Sequence, residues 1–123
     1  MQCSAATKTE SVERVSRPSH HRPARGTVAY CKAHAHGYAR RACIIRVVFA
    51  RVGQSERAVQ VAHCESRLDP RARNGQYLGI FQVSEYWRQS VPGWGMTVEQ
   101  QARHALGVYK RVGRQWSPTW ACA

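Results

Sequence analysis

The sequence predicts a mainly α-helical domain of the α+β class, with a short hairpin or loop region and a poorly ordered basic tail in front of it. Apolar residues recur at helical spacing in residues 44–66 and again in residues 97–112. Between these regions stands the pair Asn74-Gly75, a strong signal for a tight turn. Residues 1–43 are rich in Ser, Arg, His and Ala and have no sustained apolar periodicity. We therefore place a tail at residues 1–43 and one domain at residues 44–123.

The length and hydropathy of the chain limit its architecture. At 123 residues it has room for one hydrophobic core. It has no run of about 18 apolar residues, so we predict no membrane span. No apolar segment follows the N-terminus, so a signal peptide is not evident.

The charge of the chain favours anionic partners. The formal net charge is +12, and both halves of the sequence are basic. Such a charge attracts nucleic acid, an anionic membrane surface or an anionic cell-wall polymer. The sign of the charge does not choose among the three.

The first helices of the domain are predicted from local signals. Residues 44–52 predict a short helix that ends at Gly53. Ser55 is suited to cap the next helix, residues 56–66. That helix must end before Pro70, because the residue before a proline disfavours helical backbone.

The second half of the domain alternates loops and helices. Residues 70–82 predict an extended loop or small hairpin, and residues 85–89 a short helical turn. Thr97 and Gln100 have the spacing of a capping box. The helix that follows is predicted to end at Gly113.

Five cysteines stand at positions 3, 31, 43, 64 and 122. Because the number is odd, at least one is free or pairs between chains. The group Cys31, His34, His36 and Cys43 fits no standard zinc spacing, so we predict no bound metal.

Glu65 is the candidate for chemistry. Ala58, Val61 and Ala62 have the spacing of one helix face, and Glu65 continues that face. A carboxyl group packed against apolar side chains loses hydration in its charged form, so we expect its pKa to rise. Such an acid can donate a proton near neutral pH, as cleavage of a glycosidic bond requires. The alternative is that the helix frays and the side chain is solvated.

Three motifs carry a family resemblance. CES at residues 64–66 is followed by NGQYLGIFQ at residues 74–82, a helix, and WAC at residues 120–122. In this order they resemble the lysozyme-like domain of actinobacterial cell-wall enzymes, a group that includes resuscitation-promoting factors and transglycosylase-like proteins. The resemblance covers about residues 44–123.

The resemblance implies a small lysozyme-like fold that cleaves peptidoglycan between N-acetylmuramic acid and N-acetylglucosamine. It makes Glu65 the general acid, pairs Cys64 with Cys122 in a disulfide, and assigns residues 77–82 to the substrate groove. The pairing would contribute about 4 kcal/mol by loop entropy, and the alternative is that both cysteines are buried or inert thiols. The disulfide implies an oxidising compartment, so we expect an extracellular or wall-associated protein, either cellular or phage-associated.

Substrate-binding candidates within and after that segment are Tyr77, Gly79, Gln82 and Ser84. Gly79 lets the backbone approach closely and could line a cleft. The side chains of Gln82 and Ser84 bind either sugar or loop backbone. We expect Tyr77 to stack on sugar.

Three of the tryptophans have a structural interpretation. We expect Trp87, Trp116 and Trp120 in the core, because aromatic residues in so small a domain are mostly packing. The terminal loop that carries the last two is predicted to fold back on the core.

The number of acids limits the mechanism. Glycosidases commonly use two carboxylates, but only five acids follow residue 50. Glu56 lies too far along the helix from Glu65, whereas Asp69 and Glu85 are possible partners. We favour a single-acid mechanism assisted by the substrate's N-acetyl or 6-hydroxyl group, giving hydrolysis or an anhydro-sugar. No cofactor is expected.

Two other classes of protein remain open from the sequence. One is a catalytically silent wall-binding module. The other is a basic nucleic-acid-binding protein, although the chain carries no base-reading helix or RNA motif. We expect a monomer that binds peptidoglycan glycan strands and no specific nucleic acid.

Overall fold

The computed structural model describes residues 22–122, which form a mainly helical domain with one small antiparallel sheet. This confirms the predicted fold class. The helices are α1 (Val28–His34), α2 (Gly37–Phe49), α3 (Ser55–Ser66), α4 (Glu85–Ser90) and α5 (Val98–Arg111). A 3-10 turn at Ala50–Val52 follows α2, and the strands are β1 (Arg73–Asn74), β2 (Tyr77–Leu78) and β3 (Val83–Ser84). None of the helices described here is long and apolar enough to cross a membrane.

The core lies where α2 packs against both α3 and α5. Phe49, at the end of α2, is fully buried at the centre of this core. Its ring lies 5.7 Å from Phe81, 6.3 Å from Tyr109 and 5.4 Å from Trp116, measured between ring centroids. Burying an aromatic side chain of this kind contributes about 1.5–3 kcal/mol. This cluster joins the helices to the sheet and to the terminal loop.

The sheet places three polar side chains in one row. Its strand order is β1-β2-β3, with Asn74 opposite Tyr77 and Tyr77 opposite Ser84. Directly opposed residues share one face of a sheet. The turn between β1 and β2 uses Gly75 at φ 62°, a backbone conformation that favours glycine. The sequence therefore builds a short polar face from its hairpin.

The local helix signals have mixed outcomes. The capping box of Thr97 and Gln100 is present, with both reciprocal hydrogen bonds. Gly53 and Gly113 follow their helical segments at φ 69° and 82°. Ser55, however, is the first residue of α3 rather than its cap, because its hydroxyl donates to the carbonyl oxygen of Arg46 at 2.7 Å. The helix thus begins one residue earlier than predicted.

The predicted tail requires a correction. Its described part, residues 22–43, is largely helical, and the boundary predicted at residue 43 falls inside α2. A disulfide between Cys31 and Cys43 joins α1 to α2, and Cys31 is buried. This covalent bond attaches α1 to α2. The two helices can therefore pack together without a long apolar face, and the sequence shows no sustained apolar periodicity there. Residues 1–21 of the predicted tail, and with them Cys3, lie outside the described residues.

Candidate functional site

A groove runs beside the sheet and consists of two adjoining cavities. Tyr77, Gln82 and Thr119 line both of them. The Glu65 lobe has a volume of about 320 Å³ and is completed by Glu65, Asn74, Pro118 and Ala121. The Trp87 lobe has a volume of about 200 Å³ and is completed by Gln76, Val83, Ser84, Trp87, Val108 and Trp120.

Glu65 stands in the last turn of α3, at the edge of its lobe. The helix continues to Ser66, so it does not fray before the carboxylate. The side chain is half-buried, and Oε2 accepts a hydrogen bond from the backbone N–H of Cys122 at 3.2 Å. The hydroxyl of Ser66 donates to the carbonyl oxygen of Ile80 at 2.6 Å. That bond fixes the end of α3 to the segment that leads into β3.

The backbone after α3 is strained. Arg67 and Leu68 have φ of 57° and 63°, in the left-handed region that non-glycine residues rarely adopt. Each such residue costs on the order of 1–3 kcal/mol. Leu68 is fully buried, and the burial offsets part of that cost. The turn directs the chain from the helix to the hairpin, so both end at the same groove.

The second wall of the groove is the terminal loop, residues 116–122. A disulfide joins Cys64 to Cys122, with their Cα atoms 5.8 Å apart, and this is the pair that the resemblance implies. Trp120 is buried, and its indole N–H donates to the carbonyl oxygen of Phe81 at 2.9 Å. The loop therefore folds back on the core, as predicted. It places Pro118, Thr119 and Ala121 against the Glu65 lobe.

The predicted substrate-binding residues occupy different environments. Tyr77 is 42% exposed and lines both lobes. Gln82 also lines both lobes, but its amide nitrogen donates to the carbonyl oxygens of Ala72 at 3.2 Å and Gly79 at 2.9 Å. It therefore supports loop backbone with that nitrogen. Ser84 lines the Trp87 lobe, and its hydroxyl makes no capping hydrogen bond to α4.

Gly79 is placed differently from the expectation. It is buried and lines neither lobe of the groove. Its φ is 87°, and a Cβ atom there would stand 2.5 Å from Oε1 of Gln101 and 2.9 Å from the ring of Trp94. Because Gly79 has no side chain, the side chain of Gln101 can pack against its backbone. Neither lobe of the groove lies there.

Gln101 is a structural residue that sequence inspection missed. It is 1% exposed, and its Oε1 accepts from the backbone N–H of Ile80 at 2.8 Å. Its amide nitrogen donates to the carbonyl oxygens of Pro70 at 3.0 Å and Met96 at 3.3 Å. Gln101 continues the apolar face of α5 three residues after Val98, and a polar residue at such a position is the signal that could have found it.

The remaining acids among residues 22–122 lie elsewhere. Glu56 pairs with Arg46, and Glu99 pairs with Arg103. An Asp69 oxygen accepts from the backbone N–H of Arg71, and Glu85 is exposed in the first turn of α4. Neither Asp69 nor Glu85, the two possible catalytic partners, lines the groove. Within the described residues, Glu65 is the one carboxylate that does.

The tryptophans divide between packing and the groove. Trp116 and Trp120 are buried, as predicted. Trp87 is only partly buried and lines its lobe, so its assignment to the core is incomplete. Its ring makes an edge contact with Tyr86, which is 66% exposed. An aromatic surface therefore continues from the lobe onto the outside of α4.

His104 is a buried residue that hydrogen-bonds the backbone of Trp87, a residue of the Trp87 lobe. It is 1% exposed, and its Nε2 lies 3.0 Å from the carbonyl oxygen of Trp87. Since a carbonyl oxygen only accepts, Nε2 carries the hydrogen. Burial lowers the pKa of His104 below its usual 6.5, the hydrogen bond to the backbone of Trp87 opposes this, and the charge of Arg88 lowers the pKa further. The neutral imidazole therefore holds α4 in place.

Among the described residues, Glu65 is the one charged side chain that lines the groove. No lysine or arginine of residues 22–122 lines either lobe. The nearby Arg88 donates to the carbonyl oxygens of Gln76 at 3.3 Å and Val83 at 2.9 Å, and its guanidinium lies 5.6 Å from the centroid of Trp94. Nowhere in residues 22–122 do three His, Cys, Asp or Glu side chains converge as a metal site.

Comparisons of the chain with protein-family models, curated proteins and solved structures find no match. The interpretation of the groove therefore depends on its own geometry and on the motifs of the sequence.

Proposed function

We propose that this protein cleaves the glycan strand of peptidoglycan between N-acetylmuramic acid and N-acetylglucosamine, with Glu65 as the general acid. The observation that carries the proposal is the position of Glu65. It is the one carboxylate of the described residues that lines the groove beside the sheet, and it does so next to the exposed ring of Tyr77.

The chemistry of the groove suits a neutral sugar polymer. The rings of Tyr77 and Trp87 offer apolar faces, while Asn74, Ser84 and Thr119 offer uncharged hydrogen-bonding groups. A site for nucleic acid would instead be expected to present lysine or arginine side chains to phosphates. The net charge of +12 then serves to bring the enzyme to an anionic wall, and salt should weaken that attraction.

The mechanism that we propose uses one protein carboxyl group. Glu65 donates its proton to the glycosidic oxygen as the bond to the anomeric carbon breaks, and the electron pair of that bond stays on the leaving oxygen. Either the N-acetyl oxygen or the 6-hydroxyl of the same sugar then bonds to the anomeric carbon. After attack by the N-acetyl oxygen, water bonds to the anomeric carbon, the bond from the N-acetyl oxygen breaks, and a proton of the water returns to Glu65, which completes hydrolysis. Attack by the 6-hydroxyl returns a proton to Glu65 and gives an anhydro-sugar. This product is lighter by one water than the product of hydrolysis.

The two disulfides fit an oxidising compartment, and we propose that the protein works outside the cytoplasm, at the cell wall. A silent wall-binding module would use the same groove without releasing fragments.

The test is mass spectrometry of the muropeptides released from purified peptidoglycan. We expect Glu65→Gln to lower the rate of release by about 10²–10⁴-fold, the range of general-acid catalysis. Asp69→Asn and Glu85→Gln are matched controls, since both remove a carboxylate that lies outside the groove, and they should keep most of the activity. Unchanged release by Glu65→Gln would refute the proposal, and binding without release by the unmodified protein would identify the silent module.

A further inference from the structure

Thr119 stands where the two lobes of the groove meet. It lines both lobes, together with Tyr77 and Gln82. Those two residues belong to the hairpin region, whereas Thr119 belongs to the terminal loop. A ligand that extends from the Glu65 lobe into the Trp87 lobe must therefore pass between Tyr77 and Thr119.

The volumes of the lobes favour such an extended ligand. Pockets for small molecules typically measure about 300–1,000 Å³. The Glu65 lobe, at about 320 Å³, is at the lower end of that range, and the Trp87 lobe, at about 200 Å³, is below it. Because the lobes are small and share three lining residues, we expect an oligosaccharide to extend over both.

The hydroxyl of Thr119 is available to a ligand. The residue is half-buried, and its hydroxyl forms no hydrogen bond within residues 22–122. Gln82, on the other wall, already uses its amide nitrogen on the carbonyl oxygens of Ala72 and Gly79. Thr119 is thus a polar group at the junction that residues 22–122 leave without a hydrogen bond.

The position of Thr119 is fixed before any ligand arrives. The next residue, Trp120, is buried and bonded to the carbonyl oxygen of Phe81. Three residues on, Cys122 is bonded covalently to Cys64. A polar group held in this way loses little conformational entropy when it binds.

We propose that Thr119 is a substrate-positioning residue, whose hydroxyl hydrogen-bonds a neutral N-acetylated sugar at the junction of the lobes and thereby places the next glycosidic bond at Glu65. This rests on the function proposed above and deepens it. Thr119 itself takes no part in bond cleavage.

The first measurement is the affinity of N-acetylglucosamine oligomers for the full chain carrying Glu65→Gln, which prevents turnover. If both lobes are used, a hexasaccharide binds at least about tenfold more tightly than a disaccharide. Equal affinities for the two would overturn the proposal.

The second measurement compares Thr119→Val, which keeps the branched shape and loses the hydroxyl, with Thr119→Ser, which keeps the hydroxyl. Loss of one hydrogen bond should weaken hexasaccharide binding about fivefold for Thr119→Val, whereas Thr119→Ser should stay within about twofold. If Thr119→Val equals the parent, or if Thr119→Ser loses as much, the hydroxyl has no such role. Thr119→Ala is a second variant should valine disturb the loop, and thiol mapping of Cys64 and Cys122 checks the fold of each.

The same variants in the chain with Glu65 intact separate the two proposals. A positioning role raises KM on wall fragments and leaves the pH profile of kcat unchanged. Cleavage that needs Glu65 but ignores Thr119 would reject this inference and keep the function. Oligosaccharide binding that needs Thr119 without any cleavage would keep the binding role and reject the enzyme.

Discussion

The backbone N–H of Cys122 donates to Oε2 of Glu65 at 3.2 Å, across a separation of 57 residues. The residue before Glu65 is Cys64, which is bonded to Cys122 through its sulfur. One covalent bond and one hydrogen bond therefore connect the same two stretches of chain. The orientation of the carboxylate depends on the terminal loop as well as on α3.

Replacing Cys64 and Cys122 together by serine should lower the free energy of unfolding by about 2–4 kcal/mol. It should also lower wall cleavage, because the loop that lines the groove and binds Glu65 loses its covalent attachment. Urea denaturation and muropeptide release measure the two effects. The matched control replaces Cys31 and Cys43, whose disulfide joins α1 to α2 away from the groove. That control should lose stability and keep its activity at temperatures where it is folded, and equal loss of activity in both pairs would contradict the prediction.

Gly79→Ala should destabilise the fold by about 2–4 kcal/mol, because it adds overpacking to left-handed backbone. The new Cβ atom would meet Oε1 of Gln101 at 2.5 Å, and Gln101 is itself fixed by buried hydrogen bonds. Gly113→Ala is the control, since Gly113 has a similar φ of 82° and nothing within 4 Å of its Cβ position. It should cost about 1–2 kcal/mol, the penalty of left-handed backbone alone. Equal losses in the two variants, measured by urea denaturation, would show that packing on Gln101 is unimportant.

Gln101→Met should cost about 2–4 kcal/mol, because the change keeps the length of the side chain and leaves buried backbone groups without partners. The orphaned groups would be the N–H of Ile80 and the carbonyl oxygens of Pro70 and Met96. Gln89→Met, on the exposed side of α4, should stay within about 0.5 kcal/mol of the parent. A loss below about 1 kcal/mol for Gln101→Met would mean that water replaces the amide.

His104 should make the stability of the fold sensitive to acid. Its pKa in the folded protein is lowered, chiefly by burial, so below its usual pKa of 6.5 the unfolded chain binds the extra proton more readily. The contribution of His104 is therefore complete above pH 6.5 and is lost as the pH falls from there toward the folded pKa. Urea denaturation at a series of pH values measures it. His104→Gln, which keeps a donor for the carbonyl oxygen of Trp87, should flatten this part of the profile, and an unchanged slope would contradict the assignment.

Features encoded by neighbouring residues could be predicted from the sequence. The capping box of Thr97 and Gln100 and the glycines 53 and 113 fixed the ends of helical segments, because each signal acts within one turn of backbone. Asn74-Gly75 likewise predicted the hairpin.

Several features that depend on distant contacts could not be predicted from local signals. The helical backbone of residues 28–43 is held by a disulfide between Cys31 and Cys43, and this part of the sequence shows no sustained apolar periodicity that would predict it. Gly79 was expected to approach a ligand, yet its close neighbour is Gln101, 22 positions away in the sequence. Thr119 was missed because a groove wall is defined by what stands opposite it, and the opposing strand lies far from it in the chain.

The helix α1, which a disulfide joins to α2, lies outside the groove. In the described part of the chain, the residues that line the groove fall between positions 65 and 121, and α1 contributes none of them. Ala33 is exposed on α1, so a fluorophore or an immobilising linker attached there would leave every lining residue in place. The first helix is thus a suitable attachment point for a label that would test the proposed binding of wall fragments.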